Sequence, residues 1–494
     1  MEKKDNILRE AGTLERIYNA NHYSGFYPCF CLSALYKLQD GLELSSSEWE
    51  QLMVSAVSSF VLNHGALCSG VVGEDGQHPT FVRLESLDLD QLIEFSTVDT
   101  NENLESALLQ TLDGLHSKKW TRLHEMPGWK VILLGHAGHT NQVFVILAAH
   151  HAFMDGQGGM VFHRELLRAL NSEKKINFFK NAPVQESLVK VPPSVKLPPP
   201  VEDLMEIPTT WGFHAHNLWG AIRPAWLRNP FAENPWTGNP VTQDCISNYQ
   251  SRTRLSRIEQ SDLQRLLTRC KENHITPTSL FQAIAVAVLA KLVPPHSFFG
   301  HSPYSLRKWT GSDPVKDIVN QTGDSGCLYQ KTWISAFKNS SGNKSDETAL
   351  LWKIAKFHRE QLTKELAQVP VNNGLATLGR YTDRHAANAK CIGQVRPLTF
   401  EVSNLGRIDL EQTGEAPNQS TENTPSPQKH MRVSRMTFTQ SAMVNCAPLT
   451  LSIVSMSDGL AVSTSWQPEA LDETIAERFC EGISDWLAYL GSES

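Results

Sequence analysis

The stretch His150-His151-Ala152-Phe153-Met154-Asp155-Gly156 decides how the chain is read, because a buried strand must stop before it and a helix must start after it. Upstream, Gln142 to Ala149 is a continuous apolar run of strand length, rich in β-branched and aromatic residues, the pattern of a strand buried on both faces. Downstream, Asp155-Gly156-Gln157-Gly158-Gly159 reads as a turn. Beyond it Met160, Phe162, Leu166, Leu167 and Leu170 recur at helical spacing, with Arg164, Glu165 and Arg168 between them. Two histidines are thus carried to the carboxyl end of a core strand, on a loop where a rigid scaffold holds side chains that a substrate can still reach.

Around this motif the chain has 494 residues, more than one ordinary core accommodates, which predicts two domains or two halves of one large fold. A hydrophobic content of 40%, a charged content of 20% and a formal charge of −7 describe a soluble globular protein. No long Lys/Arg run marks a nucleic-acid surface. The start, Met1-Glu2-Lys3-Lys4-Asp5-Asn6, leads into a polar helical pattern without the apolar centre of a signal peptide. The longest apolar helix, Leu280 to Leu292, is too short to span a bilayer and carries Gln282 and Lys291, so it reads as a core helix. Nine scattered cysteines without a CxxC pair point to free thiols in a reducing compartment, the cytoplasm, and away from zinc.

In chain order, Leu14 to Tyr18 reads as a short helix and Phe26 to Leu38 as a strand-like stretch. Ser45-Ser46-Ser47-Glu48 offers N-caps for a helix through Leu52, Val54, Val57 and Phe60. Phe81 to Leu84 and Trp129 to Leu134 are strand patterns, the second joined to the Gln142–Ala149 run by a loop longer than two residues, as in a hairpin. Val191-Pro192-Pro193 and Pro198-Pro199-Pro200 stop regular structure, since proline fixes φ and removes a donor. The expected division is therefore a first half over 1–190, a crossover over 191–240 and a second half over 241–494. Trp211, Trp219, Trp226 and Trp236 fall within the crossover; they read either as packing beneath a long connection or as the wall of an apolar substrate pocket. The second half opens with a strand near Ser251 to Leu255 and a helix from Ile258 to Cys270, and Thr276-Pro277 caps the Leu280–Leu292 helix. Gly414 to Lys429 has no apolar periodicity and reads as a mobile loop. Strands return at Leu449 to Ser455 and Leu460 to Trp466, before an amphipathic C-terminal helix through Ile475, Phe479, Ile483, Trp486, Leu487 and Leu490. That helix is expected to dock on the core, with a peripheral membrane contact as the alternative.

An HxxxD spacing alone is expected about once by chance in a chain with 18 histidines, so the spacing is a weak signal by itself. The second histidine, the following glycine, the strand before and the helix after make chance a poor explanation. His151 belongs to the one side-chain class that takes a proton from a hydroxyl or amine near neutral pH and returns it later. Asp155 has two readings, orienting the imidazole or anchoring the loop to a distant arginine; the intervening residues and the Asp-Gly turn favour the second. His150 is expected to face away from His151, since adjacent extended residues alternate, and to be structural. A metal held by His150, His151 and Asp155 is disfavoured, because adjacent histidines rarely converge on one ion. No GxSxG elbow, GxxxxGK loop, HExxH or GxGxxG is present, Gly156-Gln157-Gly158-Gly159 failing at its last position.

HHxxxDG after a buried strand resembles the active-site signature of the CoA-dependent acyltransferase superfamily, which includes chloramphenicol acetyltransferase, plant acyltransferases and condensation domains. The chain is more closely similar to the fungal alcohol O-acetyltransferase family, through Leu14-Glu15-Arg16, Gly25-Phe26-Tyr27, Pro127-Gly128-Trp129-Lys130 and His150 to Gly156. Pro235-Trp236-Thr237-Gly238, Pro303-Tyr304-Ser305-Leu306-Arg307 and Val402-Ser403-Asn404-Leu405-Gly406 extend the resemblance over roughly residues 10–490. The plant branch is disfavoured by the absence of a DFGWG pentapeptide.

The resemblance implies a mixed α/β (α+β) fold of two chloramphenicol acetyltransferase-like halves, each a mixed sheet with flanking helices, around a tunnel. It implies acyl-CoA, acetyl-CoA first, as co-substrate, a small-molecule alcohol as acceptor and no permanently bound cofactor. His151 would be the general base for direct attack on the thioester, without an acyl-enzyme. Asp155 would be a loop anchor, with Arg307 as its partner, while Asn404, Gly406, Gln440 and Ser441 are candidate oxyanion donors. Ser403 to Gly406 reads equally well as a strand bulge. His150 and Gly156 complete the loop, and the chain is expected to work as a monomer. The rival readings are an amine acceptor, a carrier-protein-dependent condensation module, and a binding protein that keeps the fold.

Overall fold

The computed structural model describes residues 6–39, 41–172, 187–222, 234–340, 342–378, 383–410 and 431–492. The apolar run of the opening stretch becomes β8 (Gln142–Ala149), the middle strand of a five-stranded sheet. On one side it pairs antiparallel with β2 (Phe30–Leu38), from Phe30↔Ala149 to Lys37↔Gln142. On the other it forms a hairpin with β7 (Trp129–His136), from Trp129↔Ala149 to Leu134↔Phe144. The parallel strand β6 (Ile93–Val98) closes that edge. Val145 and Leu147 face a core shared with the helices Ser46–Ser58 and Gly156–Leu170, and Phe144, Ile146 and Ala148 face the helix Leu104–His116. Both faces of β8 are therefore dry, and its residues show no polar alternation.

The second large sheet has six strands: β10 (Arg252–Glu259), β16 (Gly459–Trp466), β15 (Leu449–Met456), β13 (Phe400–Arg407), β11 (Phe298–Ser305) and β12 (Thr322–Tyr329), in that spatial order. Alternate residues, among them Phe298, Phe400, Val402, Leu451 and Val462, pack on the helices Gln260–Glu272, Pro277–Leu292 and Glu473–Gly491. Smaller sheets complete the first half: β1 (Ile7–Glu10), β3 (Ser69–Val72) and β4 (Thr80–Arg83) form one, and β5 (Ser86–Asp88) with β9 (Leu188–Lys190) the other.

One strand crosses between the halves. β14 (Met431–Gln440) comes from the second half of the sequence, yet it forms the outer edge of the first sheet, antiparallel to β2 from Met431↔Leu38 to Gln440↔Phe30. It also touches the second sheet: Ser463 Oγ donates to Phe438 O at 2.6 Å and Gln440 Nε2 to Ser452 Oγ at 3.1 Å.

Caps fall where the sequence places them. Ser45 and Glu48 form a capping box, and Thr276 accepts from Ser279 N with Pro277 at the first helical position. The glycine-rich stretch after Asp155 departs from expectation: it is the first turn of the helix Gly156–Leu170, not a separate turn. Asp155 is its N-cap, accepting from Gly158 N at 2.8 Å, and that satisfied donor outweighs the low helix propensity of the glycines.

Among the described residues, the crossover tryptophans do not line the cavity between the halves. Trp211 and Trp219 are exposed, Trp236 packs against the second core, and Trp226 lies outside the described residues, as does the loop expected over 414–429. The C-terminal helix buries Phe479, Ile483, Trp486, Leu487 and Leu490 in the second core, so its apolar face is already covered. Among the described residues no single helix is long and apolar enough to cross a membrane; Gln260–Glu272 and Pro277–Leu292 reach that apolarity only together, across a 95° bend.

Candidate active site

β8 ends at Ala149, and the two histidines leave it in opposite directions. His150 goes inward and is buried. Its Nδ1 accepts from Ala152 N at 3.1 Å, so Nε2 carries the proton, and that nitrogen faces Glu74 Oε1 at 3.6 Å. From the other side His22 Nδ1 lies 2.5 Å from the same oxygen, while His22 Nε2 accepts from Trp120 N at 3.0 Å. Burial alone would raise the Glu74 carboxyl, but the N–H groups of His150 and His22 outweigh it and hold it at about 2. In these tautomers both facing nitrogens are protonated, His22 Nδ1 donating to the carboxylate and His150 Nε2 facing it from 3.6 Å, so neither has a lone pair free for a cation. The cluster clamps the motif loop from below.

His151 goes the other way, into a cavity of about 490 Å³ between the two halves. Its ring stacks on Tyr18 at 4.0 Å between centroids with 4° between planes, and Phe30 meets it edge-on at 5.2 Å. Burial pushes the imidazole down to about 4, only partly opposed by the charge of Asp155, so it is neutral at physiological pH. Asn320 Nδ2 donates to the His151 backbone carbonyl at 2.7 Å, and the ring's Nδ1 is buried without a hydrogen-bond partner.

Asp155 is turned away from His151. Arg307 Nη1 donates to its Oδ2 at 2.6 Å and Nη2 to its Oδ1 at 2.9 Å, with Gln321 N and Gly158 N as further donors. Both side chains are 3% exposed. Burial opposes the charge, but Arg307 beside the carboxylate keeps its pKa below the ordinary value. Arg307 Nη2 also donates to Val319 O and Nη1 to Gln157 Oε1, so one guanidinium ties the motif helix to the loop before β12. Gly156 completes the join: a Cβ there would lie 2.6 Å from Leu405 Cδ2 on β13. A larger residue would require the Leu405 side chain to move.

The four oxyanion candidates separate. Asn404 and Gln440 line the cavity. Asn404 Nδ2 donates to Thr278 Oγ1 at 3.1 Å and Gln440 Nε2 to Ser452 Oγ at 3.1 Å, and each amide has a second N–H. Ser441 is buried away from the cavity, its Oγ donating to Cys29 O at 2.7 Å and meeting His116 Nδ1 at 3.1 Å. Gly406, at φ +77°, donates to Asn404 Oδ1 at 2.8 Å and shapes the bulge between β13 and β15 rather than the cavity wall.

Several site residues carry no mark in the sequence. Tyr18 sits in an ordinary amphipathic helix, Thr13–Tyr23. Glu74 and His22 lie far from His150 in the chain, as Asn320 does from His151. Their roles follow from tertiary proximity, for which one sequence has no periodic or spacing signal.

The family description that matches this chain is alcohol acetyltransferase, over residues 10–484. A Fusarium pseudograminearum (strain CS3096) protein described as "Probable alcohol acetyltransferase FCK4" is 25% identical over 506 residues, covering 99% of this chain and 96% of its own length. "Probable alcohol acetyltransferase crmB" of Aspergillus fumigatus (strain ATCC MYA-4609 / CBS 101355 / FGSC A1100 / Af293) is 23% identical, covering 96% of this chain and 97% of its own. Among solved structures, the TRI3 trichothecene 15-O-acetyltransferase of Fusarium sporotrichioides superposes with a TM-score of 0.69 at 13% identity, over 98% of this chain and 94% of that one. The first condensation domain of the calcium-dependent antibiotic synthetase reaches 0.60 at 12% identity, over 99% and 97%. Those two likenesses concern the two-lobed fold, whereas the family match spans nearly the whole sequence: the chain belongs to the alcohol acetyltransferase family.

Proposed function

We propose that this acyltransferase moves an acetyl group from acetyl-CoA to an alcohol, with His151 as general base. The observation that carries this reading is the His151 ring itself: neutral, clamped by Tyr18 and Phe30, and presented to a cavity between the halves. In this mechanism the acceptor hydroxyl attacks the thioester carbonyl as His151 Nε2 takes its proton. The C–O bond forms, the C–S bond then breaks, and the imidazolium returns the proton to the departing sulfur. Asn404 and Gln440 stabilise the oxyanion through their second N–H groups, and Asp155 and Arg307 hold the loop without touching substrate. The working units are the halves 1–190 and 241–494. Nine unpaired cysteines support a cytoplasmic setting, and a monomer suffices because both halves of the cavity come from one chain.

Pure protein incubated with acetyl-CoA and panels of alcohols and amines, followed by free-thiol release and mass spectrometry of the product, tests the reading. Ester formation is expected, with His151→Ala lowering turnover at least ~10²-fold at unchanged folding. Turnover with amines alone would move the acceptor class, and an unaffected His151→Ala would remove this base.

A further inference from the structure

Facing the cavity from the second half is a charged group that the acyl-transfer step leaves unused. β13, β11 and β12 lie side by side, and they bring Glu401, His301 and Asp324 to the cavity wall. His301 and Glu401 are register partners on parallel strands; Asp324 pairs with Pro303, two residues along from His301. His301 Nδ1 lies 3.1 Å from Glu401 Oε2, and its Nε2 lies 3.4 Å from Asp324 Oδ1. A carboxylate at each nitrogen leaves the ring no proton to accept, so both nitrogens donate and the ring is an imidazolium. Burial alone would favour the neutral ring, but the two carboxylates reverse this and raise its pKa to about 10.

The triad therefore has one positive and two negative charges, a net of −1. Each carboxylate meets His301 through one oxygen, and both residues line the cavity. His301 and Glu401 are sunk in the wall, at 16% and 14% exposure, whereas Asp324 is 55% exposed. Among the described residues Arg384 also lines the cavity, its guanidinium donating to the Leu378 carbonyl. The net negative charge of the triad suits hydrogen-bond donors and repels anions at this part of the wall. Coenzyme A carries several phosphate charges, so it is the wrong occupant for this wall. The acceptor is the right one.

We propose that Glu401, His301 and Asp324 form a polar subsite for the acceptor, whose natural form carries a hydrogen-bond donor, a further hydroxyl or an ammonium, besides the hydroxyl that is acetylated. This rests on the acyl-transfer reading above. It distinguishes the natural acceptor from a plain alkyl alcohol, which would leave two buried-edge carboxylates facing apolar carbon. Sites built to hydrogen-bond a substrate donor reject analogues that lack it far more strongly than apolar pockets reject a change of size.

The test uses the full chain, acetyl-CoA and acceptors matched in length: hexanol, hexanediol, aminohexanol and hydroxyhexanoate. The expected kcat/KM for hexanediol and aminohexanol exceeds that for hexanol by at least ~10²-fold, with hydroxyhexanoate the poorest. Glu401→Gln combined with Asp324→Asn, near-isosteric changes, should collapse that ratio mainly through acceptor KM and leave the KM for acetyl-CoA in place. Asp324→Lys, at a half-exposed position that tolerates the longer chain, should shift preference from aminohexanol towards hydroxyhexanoate. Equal rates for hexanol and hexanediol, or an unchanged ranking in these variants, would overturn the subsite while leaving acyl transfer standing. A change confined to the acetyl-CoA KM would overturn it as well, by assigning the triad to the coenzyme. No thiol release with any acceptor would instead sink the acyl-transfer reading itself.

Discussion

His151 works against its surroundings. A histidine in water is half protonated near pH 6.5, and burial moves this one down to about 4. In the proposed mechanism the neutral ring is the base, so the sign is fixed: activity is lost as pH falls through the folded pKa, not as it rises. The acid limb of kcat/KM should therefore lie near pH 4 to 5, well below the limb of an unperturbed histidine, and a pH–rate profile checks it. An acid limb at 6.5 would mean that bound water or substrate relieves the desolvation. His150, one residue away, is also held near 4, by burial first and by His22, yet it faces Glu74 and not the cavity. The division between neighbours follows from strand alternation, which is why it could be read from the sequence; the identity of Glu74 and Tyr18 as their companions could not, because nothing local connects them to the motif.

At the scale of elements, the critical join is between the helix Gly156–Leu170 and the loop ahead of β12. Asp155 caps the helix and receives both arms of Arg307, with Asp155 N donating to Val319 O at 3.1 Å. Removing one partner leaves the other charged and buried, which typically costs ~3–5 kcal/mol. Arg307→Ala and Asp155→Asn should each lower urea-unfolding stability by about that amount, with the larger loss of activity appearing only as the loop loosens. A variant that keeps full stability but loses turnover would give Asp155 a direct chemical role instead. The strand before the motif was legible from its unbroken apolar run, and the helix after it from its helical periodicity. The helix start was not: glycines at Gly156, Gly158 and Gly159 read as a turn, and only the tight approach of Leu405, Met154 and Leu32 explains why small residues occupy a first helical turn.

For the molecule as a whole, buried histidines set a pH window. Burial holds His64, His150, His151, His163 and His358 at about 4, against ~6.5 in an unfolded chain. Between those values the unfolded state binds more protons, so folding stability must fall as pH drops from 6.5 towards 4. His301 has the opposite sign: raised to about 10, its contribution is complete below 6.5 and fades as pH climbs towards 10. Denaturant midpoints measured across pH should peak near neutrality and fall on both sides, more steeply on the acid side, where five groups act together. A flat profile would contradict the buried neutral state of these rings. The two-lobed plan was visible in the sequence as a proline-rich break between strand-and-helix halves, but the sharing of β14 was not. A strand that crosses to another sheet looks, residue by residue, like one that stays at home.

That shared strand also governs the order in which the protein is made. During synthesis the first sheet stays open along β2 until residues 431–440, far downstream of it, have left the ribosome. Until then Phe30–Leu38 presents an unpaired apolar edge, the kind of surface that recruits chaperones or foreign strands. Gln440, at the end of β14, reaches the cavity wall only when that strand docks. The reaction chamber thus waits on a strand far from the motif in sequence, and a chain cut short before Gln440 carries no finished one.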